Sequence, residues 1–103
     1  MVELRCEVVR WVDDEPFPGW VEVQFTDAAG RRWAVFDKPP IFRAAADLGP
    51  DSSYPVAASI ACVVCEGSES PDGGTVTVST SPHGVATPDG RDEFTVWWEQ
   101  LVR

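Results

Sequence analysis

Residues 20–42, WVEVQFTDAAGRRWAVFDKPPIF, decide the fold. Val21, Val23 and Phe25 alternate with Glu22 and Gln24, the two-residue period of a strand buried on one face. A second apolar run over 31–36 repeats the theme after a turn. Asp27 is placed to bond the backbone two residues on, Ala28 and Ala29 accept the right-handed turn positions, and Gly30 supplies the left-handed residue that closes a bulged hairpin loop. The stretch predicts a β-hairpin. Asp37-Lys38-Pro39-Pro40 ends it, because neither proline has an N–H to donate to a ladder and each restricts the residue before it.

Upstream of the hairpin, Val2, Leu4, Cys6 and Val8 alternate with Glu3, Arg5 and Glu7. The phase then slips, and Val9 and Trp11 carry the apolar pattern on from odd positions. A slip of one residue without a turn signal is what a β-bulge produces, so the pattern predicts a strand over 2–12 with a bulge near Val8. Residues 13–19, DDEPFPG, form the connection to the hairpin. Their spacing lacks the alternating oxygen ligands and terminal Glu of an EF-hand, so a solvated turn is expected, with Phe17 folding back over the edge of the core.

Downstream, residues 37–55 are the least regular part of the chain. Arg43, three alanines and Asp47, followed by Gly49 and Pro50, predict a short helical turn over 41–48 ended by a C′ glycine. Residues 56–66, VAASIACVVCE, are apolar on both phases; periodicity alone leaves strand and buried helix open, and the β-branched density from Ile60 to Val64 selects strand. GSESPDGG at 67–74 is a turn. Strands are expected over 75–80 and in a final hairpin joining 85–87 to 93–98, with Phe94, Val96 and Trp98 on one face and Thr95 and Trp97 on the other. The chain therefore reads as all-β: a small, mostly antiparallel barrel of six or seven strands with one irregular crossover segment.

At 103 residues the chain is one domain, 1–103, large enough to bury its own core. A hydrophobic fraction of 44%, with five Trp and five Phe, is too high for a disordered chain despite a net charge of -9. Seventeen acids against eight bases repel a phosphate backbone, which argues against nucleic-acid binding and fits a basic protein partner. With no signal-like start, no membrane-length apolar run and an odd count of three cysteines, the expectation is a cytoplasmic protein with reduced thiols. The single lysine against seven arginines, with abundant Ala, Gly, Pro and Asp, has the look of a GC-rich bacterial genome.

Few residues suggest chemistry. Cys62 and Cys65 share the C-x-x-C spacing of zinc knuckles and redox sites, but on a strand residues three apart face opposite ways, and no second pair completes four ligands. Buried thiols without metal are expected. His83, the only histidine, has no nucleophile-elbow pattern around it, although Ser81 or Cys65 would be the nucleophile in a catalytic reading. Lys38 could serve as a Schiff-base residue if desolvated, or pair with Asp37 or Asp47 to tie down the crossover; the second role is expected. No cofactor and no enzyme activity are expected.

The tryptophans carry more. Trp97 and Trp98 are adjacent on a predicted strand, so one ring points away from the core, and Trp20 falls out of phase with Val21, Val23 and Phe25. Outward tryptophans mark contact surfaces, because Trp is enriched in binding hot spots. Trp20, Trp97, Asp37, Lys38 and Tyr54 are the candidate partner-binding residues. The alternative is that the 37–55 segment covers the tryptophans with no partner involved.

The FTDAAGR stretch at 25–31, DKPPIF at 37–42, Tyr54-Pro55 and Cys62 together resemble a group of small, acidic, uncharacterised bacterial β-barrel proteins. The resemblance implies a standalone barrel and transfers no catalytic residue. The functional expectation is a non-catalytic protein-interaction module with an acidic surface, of the kind an immunity protein uses against a basic toxin. The alternative is a barrel that binds a small ligand beneath the 39–55 segment.

Overall fold

The computed structural model describes residues 1–102. Its strands are β1 (Val2–Asp13), β2 (Trp20–Thr26), β3 (Arg32–Asp37), β4 (Arg43–Ala44), β5 (Val56–Val64), β6 (Thr75–Ser79), β7 (Glu93–Trp97) and β8 (Leu101–Val102). All ladders are antiparallel, in the order β3-β2-β1-β5-β6-β7, with β4 on β5 and β8 on β1. The sheet curls into a half-barrel, and among the described residues there is no α-helix, only 3-10 turns. The 3-10 turn Trp98–Gln100 redirects the chain after β7 so that Leu101 and Val102 pair with Leu4 and Glu3. The last strand thereby returns to the first.

The bulge lies where the phase slip put it. Val8 pairs with Val23, the register shifts, and Arg10 then pairs with Glu22 and Trp11 with Val21. The extra residue lets Leu4, Cys6 and Val8 face inward before the bulge and Trp11 after it, while Arg10 turns outward to Glu22 at 2.6 Å. Glu22 also accepts from Gln24 Nε2 at 2.6 Å, and Arg32 joins Gln24 to Glu7, so a polar stripe covers the outer face of β1, β2 and β3. Inward, the core runs from Val21, Val23 and Phe25 through Ile60 and Cys62 to Val76, Val78, Phe94 and Val96.

The hairpin loop forms through Asp27. Its Oδ1 accepts from the N–H groups of Ala29 and Arg31, both at 2.9 Å, and its Oδ2 accepts from Trp33 Nε1 at 2.8 Å. Gly30 takes the left-handed conformation at φ 86°. The loop also docks on β7, with Ala28 N–H donating to the Thr95 carbonyl at 2.9 Å. The guanidinium groups of Arg31 and Arg91 lie 4.1 and 4.5 Å from the Trp33 ring centre. Burial pushes the Asp27 carboxyl up, but the Trp33 indole, the Arg31 and Ala29 N–H groups and the charge of Arg91 outweigh it and hold the group below its ordinary 3.8.

A depressed folded pKa contributes stability that is present above the unfolded value and lost as pH falls through the folded one. Asp27→Asn is therefore expected to cost about 1 kcal/mol at neutral pH. Its urea midpoint should converge on that of the wild type as pH drops below 3.8. A gap of constant size down to pH 2, roughly where depressed carboxylates are protonated, would remove this role from Asp27.

Two expected elements differ. The segment 41–48 is not helical: the chain makes a 3-10 turn at Pro39–Ile41, and then Arg43 and Ala44 pair with Ser59 and Ala58. Phe42 is buried in the core between them, an anchor that outweighs the helical preference of three alanines. Residues 85–87 are not a strand either. Thr80 Oγ1 donates to the Val85 carbonyl at 2.6 Å, and Thr87 N–H and Gly90 N–H close a tight turn with Arg91 and Thr87, so the backbone groups are spent locally. The wide loop still delivers Val85 to the core.

Candidate functional site

Inward placement of Val76, Val78, Phe94 and Val96 forces the alternate residues of β6 and β7 outward. Thr75, Thr77, Thr95 and Trp97 make that outer face, with Thr75 opposite Trp97 and the hydroxyls of Thr77 and Thr95 2.9 Å apart. Trp97 remains 43% exposed. Its ring passes over Gly74, whose missing Cβ would lie 3.5 Å from it, and the Trp97 backbone N–H donates to Gln100 Oε1 at 2.8 Å. Gln100 Nε2 in turn donates to the Thr26 carbonyl at 2.7 Å, which fixes this end of β7 against the end of β2. Gly73, Gly74, Trp97, Trp98 and Glu99 enclose an open cleft of about 500 Å³. Asp72 stands beside it, oriented by Ser70 Oγ and by Gly74 N–H, two bonds that hold its carboxyl below the usual value. The arrangement is an aromatic wall with acids at its margin, suited to holding a cationic side chain.

The other candidate residues lie elsewhere. Trp20 pairs with Asp13 at the far end of β2, six residues from Thr26, which is about 20 Å along a strand. It is half-buried. Asp37 sits beside it across the ladder, opposite Val21, and its Oδ1 accepts from Lys38 N–H at 2.8 Å. Lys38 is exposed, and among the described residues it makes no ion pair with Asp37 or Asp47. Tyr54 is turned inward: its hydroxyl donates to the Gly49 carbonyl at 2.7 Å and its ring packs against the core, closing the crossover segment. Trp20, Asp37 and Lys38 thus share one end of the sheet, and Trp97 stands at the other.

Phe17, like Tyr54 and the expected Lys38 ion pair, departs from the sequence reading. It does not fold over the core edge but stands 91% exposed at the tip of the β1–β2 loop. The space beneath that loop is taken by the Trp11 indole, which lies where a Cβ of Gly19 would be, 2.3 Å away. No local pattern in DDEPFPG carries that information.

The cysteines are free and separate in environment. Cys6 and Cys62 are buried on the inner faces of β1 and β5, while Cys65 is half-buried beyond the end of β5. Burial, aided by the Glu7 charge, pushes the Cys6 thiol up to about 12, and burial followed by the Glu3 charge pushes Cys62 up to about 11. Desolvation and the charges of Glu93 and Asp92 raise Cys65 as well. A thiol reagent at pH 8, roughly the ordinary thiol pKa, should modify Cys65 slowly in the folded protein and reach Cys6 and Cys62 only in denaturant. Mass spectrometry showing all three modified in the folded state at one rate would contradict this burial. His83 is exposed at the end of the 3-10 turn Ser81–His83, and the Ser81 hydroxyl is bonded to Ser79 Oγ at 2.9 Å. Among the described residues no group of three or more His, Cys, Asp or Glu side chains converges on a metal position.

The fold and this surface define an all-β half-barrel with an outward tryptophan among acids. No protein family, curated protein or solved structure matches the chain. No helix among the described residues is long and apolar enough to cross a membrane.

Proposed function

We propose that the protein is a non-catalytic interaction module whose acidic surface receives a basic protein partner, in the manner of an immunity protein that neutralises a basic toxin. The observation that carries this reading is Trp97, an indole left 43% open to solvent beside Glu99 on a chain of net charge -9. An indole this open to solvent adds little to the core, and tryptophan is among the residues that supply most of the affinity of many interfaces. The charge supports fast, salt-sensitive encounter with a basic surface. We place the protein in a bacterial cytoplasm, a reading supported by three cysteines that form no disulfide.

Capture from a native lysate tests the reading. The expected result is one stoichiometric partner of basic pI that is released as salt is raised. Recovery of no stoichiometric partner would count against it.

A ligand-binding role has one observation in its favour, an open hollow of about 480 Å³ bordered by Glu3, Arg5, Arg43 and the small side chains of Ala57 and Ala58. Against it, the barrel interior is filled by Leu4, Phe25, Ile60, Phe94 and the core valines. Thermal stabilisation by a metabolite, with no protein captured, would move the assignment to this second role.

A further inference from the structure

We propose that Phe17 is a second docking element, an aromatic knob that enters an apolar socket rimmed by basic residues on a protein partner. The inference rests on the reading of the chain as an interaction module and adds a contact at the end of β2 remote from Trp97.

Phe17 is the most exposed aromatic side chain among the described residues, at 91%. An unburied phenylalanine forgoes the favourable transfer of its ring out of water. Here the loop is held in shape by hydrogen bonds. Gly19 N–H donates to the Pro16 carbonyl at 2.8 Å, and Glu15 N–H donates to Asp13 Oδ1 at 3.1 Å. From below, Trp11 Nε1 donates to Asp14 Oδ1 at 2.7 Å, and the same indole fills the space under Gly19, whose φ of 103° admits only glycine without strain. With the Trp11 ring packed against Gly19 at the base of the loop, the Phe17 ring projects from its tip.

The charge around the knob selects its partner. Asp13, Asp14 and Glu15 are all exposed on one flank, and Asp37 lies beside Trp20 where the loop rejoins the sheet. Of the bases at this end of the sheet, Arg10 is engaged by Glu22 at 2.6 Å and exposed Lys38 follows Asp37, so the three loop acids leave the flank of Phe17 net negative. An apolar side chain flanked by net negative charge is disfavoured at anionic lipid headgroups and against a second copy of this chain. It is drawn to a positive protein surface, and the ring then needs a pocket in that surface.

The test places the photocrosslinker p-benzoylphenylalanine at position 17 of the full chain, and separately at position 97, and irradiates each in native lysate. Position 17 should form an adduct with one protein whose crosslinked peptide lies in an apolar pocket bordered by Lys or Arg. That protein, purified, should bind Phe17→Ala about 10- to 100-fold more weakly than the wild type. Glu15→Gln should weaken binding by a smaller factor, and at low salt only. Because Phe17 supports nothing beneath it, Phe17→Ala should melt at the wild-type temperature, which separates lost contact from lost fold. Adducts at 97 with none at 17 would overturn the knob and leave the interaction module standing; adducts at neither position would overturn both. Crosslinking of 17 to lipid or to another copy of the chain, or unchanged affinity of Phe17→Ala, would also overturn the proposal.

Discussion

Phe94→Ala is expected to remove about 3–5 kcal/mol of folding stability, the range for deleting a fully buried aromatic ring. Phe94 has no exposed surface, and its ring is the joint between the two halves of the sheet. It meets Phe25 of β2 edge-on at 4.8 Å and 87°, and Trp33 of β3 at 5.5 Å and 63°. β3 and β7 share no ladder, so these ring contacts, with the Ala28 to Thr95 and Gln100 to Thr26 hydrogen bonds, draw the ends of the curled sheet together. A domain of this size has about 5–15 kcal/mol in total, so the alanine variant should lose a large share of its stability. Phe94→Leu keeps most of the volume and should lose roughly 1–2 kcal/mol, which gives a folded variant for comparison. Urea denaturation reads both. A loss below about 1 kcal/mol for the alanine would mean that the two ends are held by something other than this cluster.

Trp97→Ala should have the opposite profile. Its ring rests on Gly74 and faces solvent, while its backbone bond to Gln100 does not depend on the side chain, so stability should change by less than about 1 kcal/mol. Binding to the captured partner should fall by about 30-fold, the equivalent of a 2 kcal/mol hot spot. A stability loss as large as that of Phe94→Ala, with affinity preserved, would return Trp97 to a packing role.

Much of this architecture was legible because it is written in local period. Alternation over 21–25, the run over 31–36, the Asp27 to Gly30 turn and the slip at Val8 point to two strands, a loop and a bulge that the structure contains at Trp20–Thr26, Arg32–Asp37, 27–30 and Val8/Arg10. Two-residue strands were not legible: Arg43–Ala44 and Leu101–Val102 are too short to have a period and exist only because β5 and β1 offer free edges. In 41–48 the alanines signalled helix, and burial of Phe42 decided otherwise. At the surface, the outward turn of Trp97 followed from the phase of Phe94 and Val96. The exposure of Phe17 did not follow from its neighbours, because the packing of the Trp11 ring against Gly19 at the base of the loop is a contact between strand and loop that no local pattern announces.

Isothermal titration of the partner against wild type and Trp97→Ala, at low and at high salt, weighs the acidic field and the open indole together. Wild-type affinity should drop steeply with salt, and the variant should be weaker at both concentrations by a similar factor, since apolar and cation–π contact is screened far less than long-range charge. Equal affinities for the two proteins, with no dependence on salt, would contradict the assignment of this face as the place where a basic protein is held.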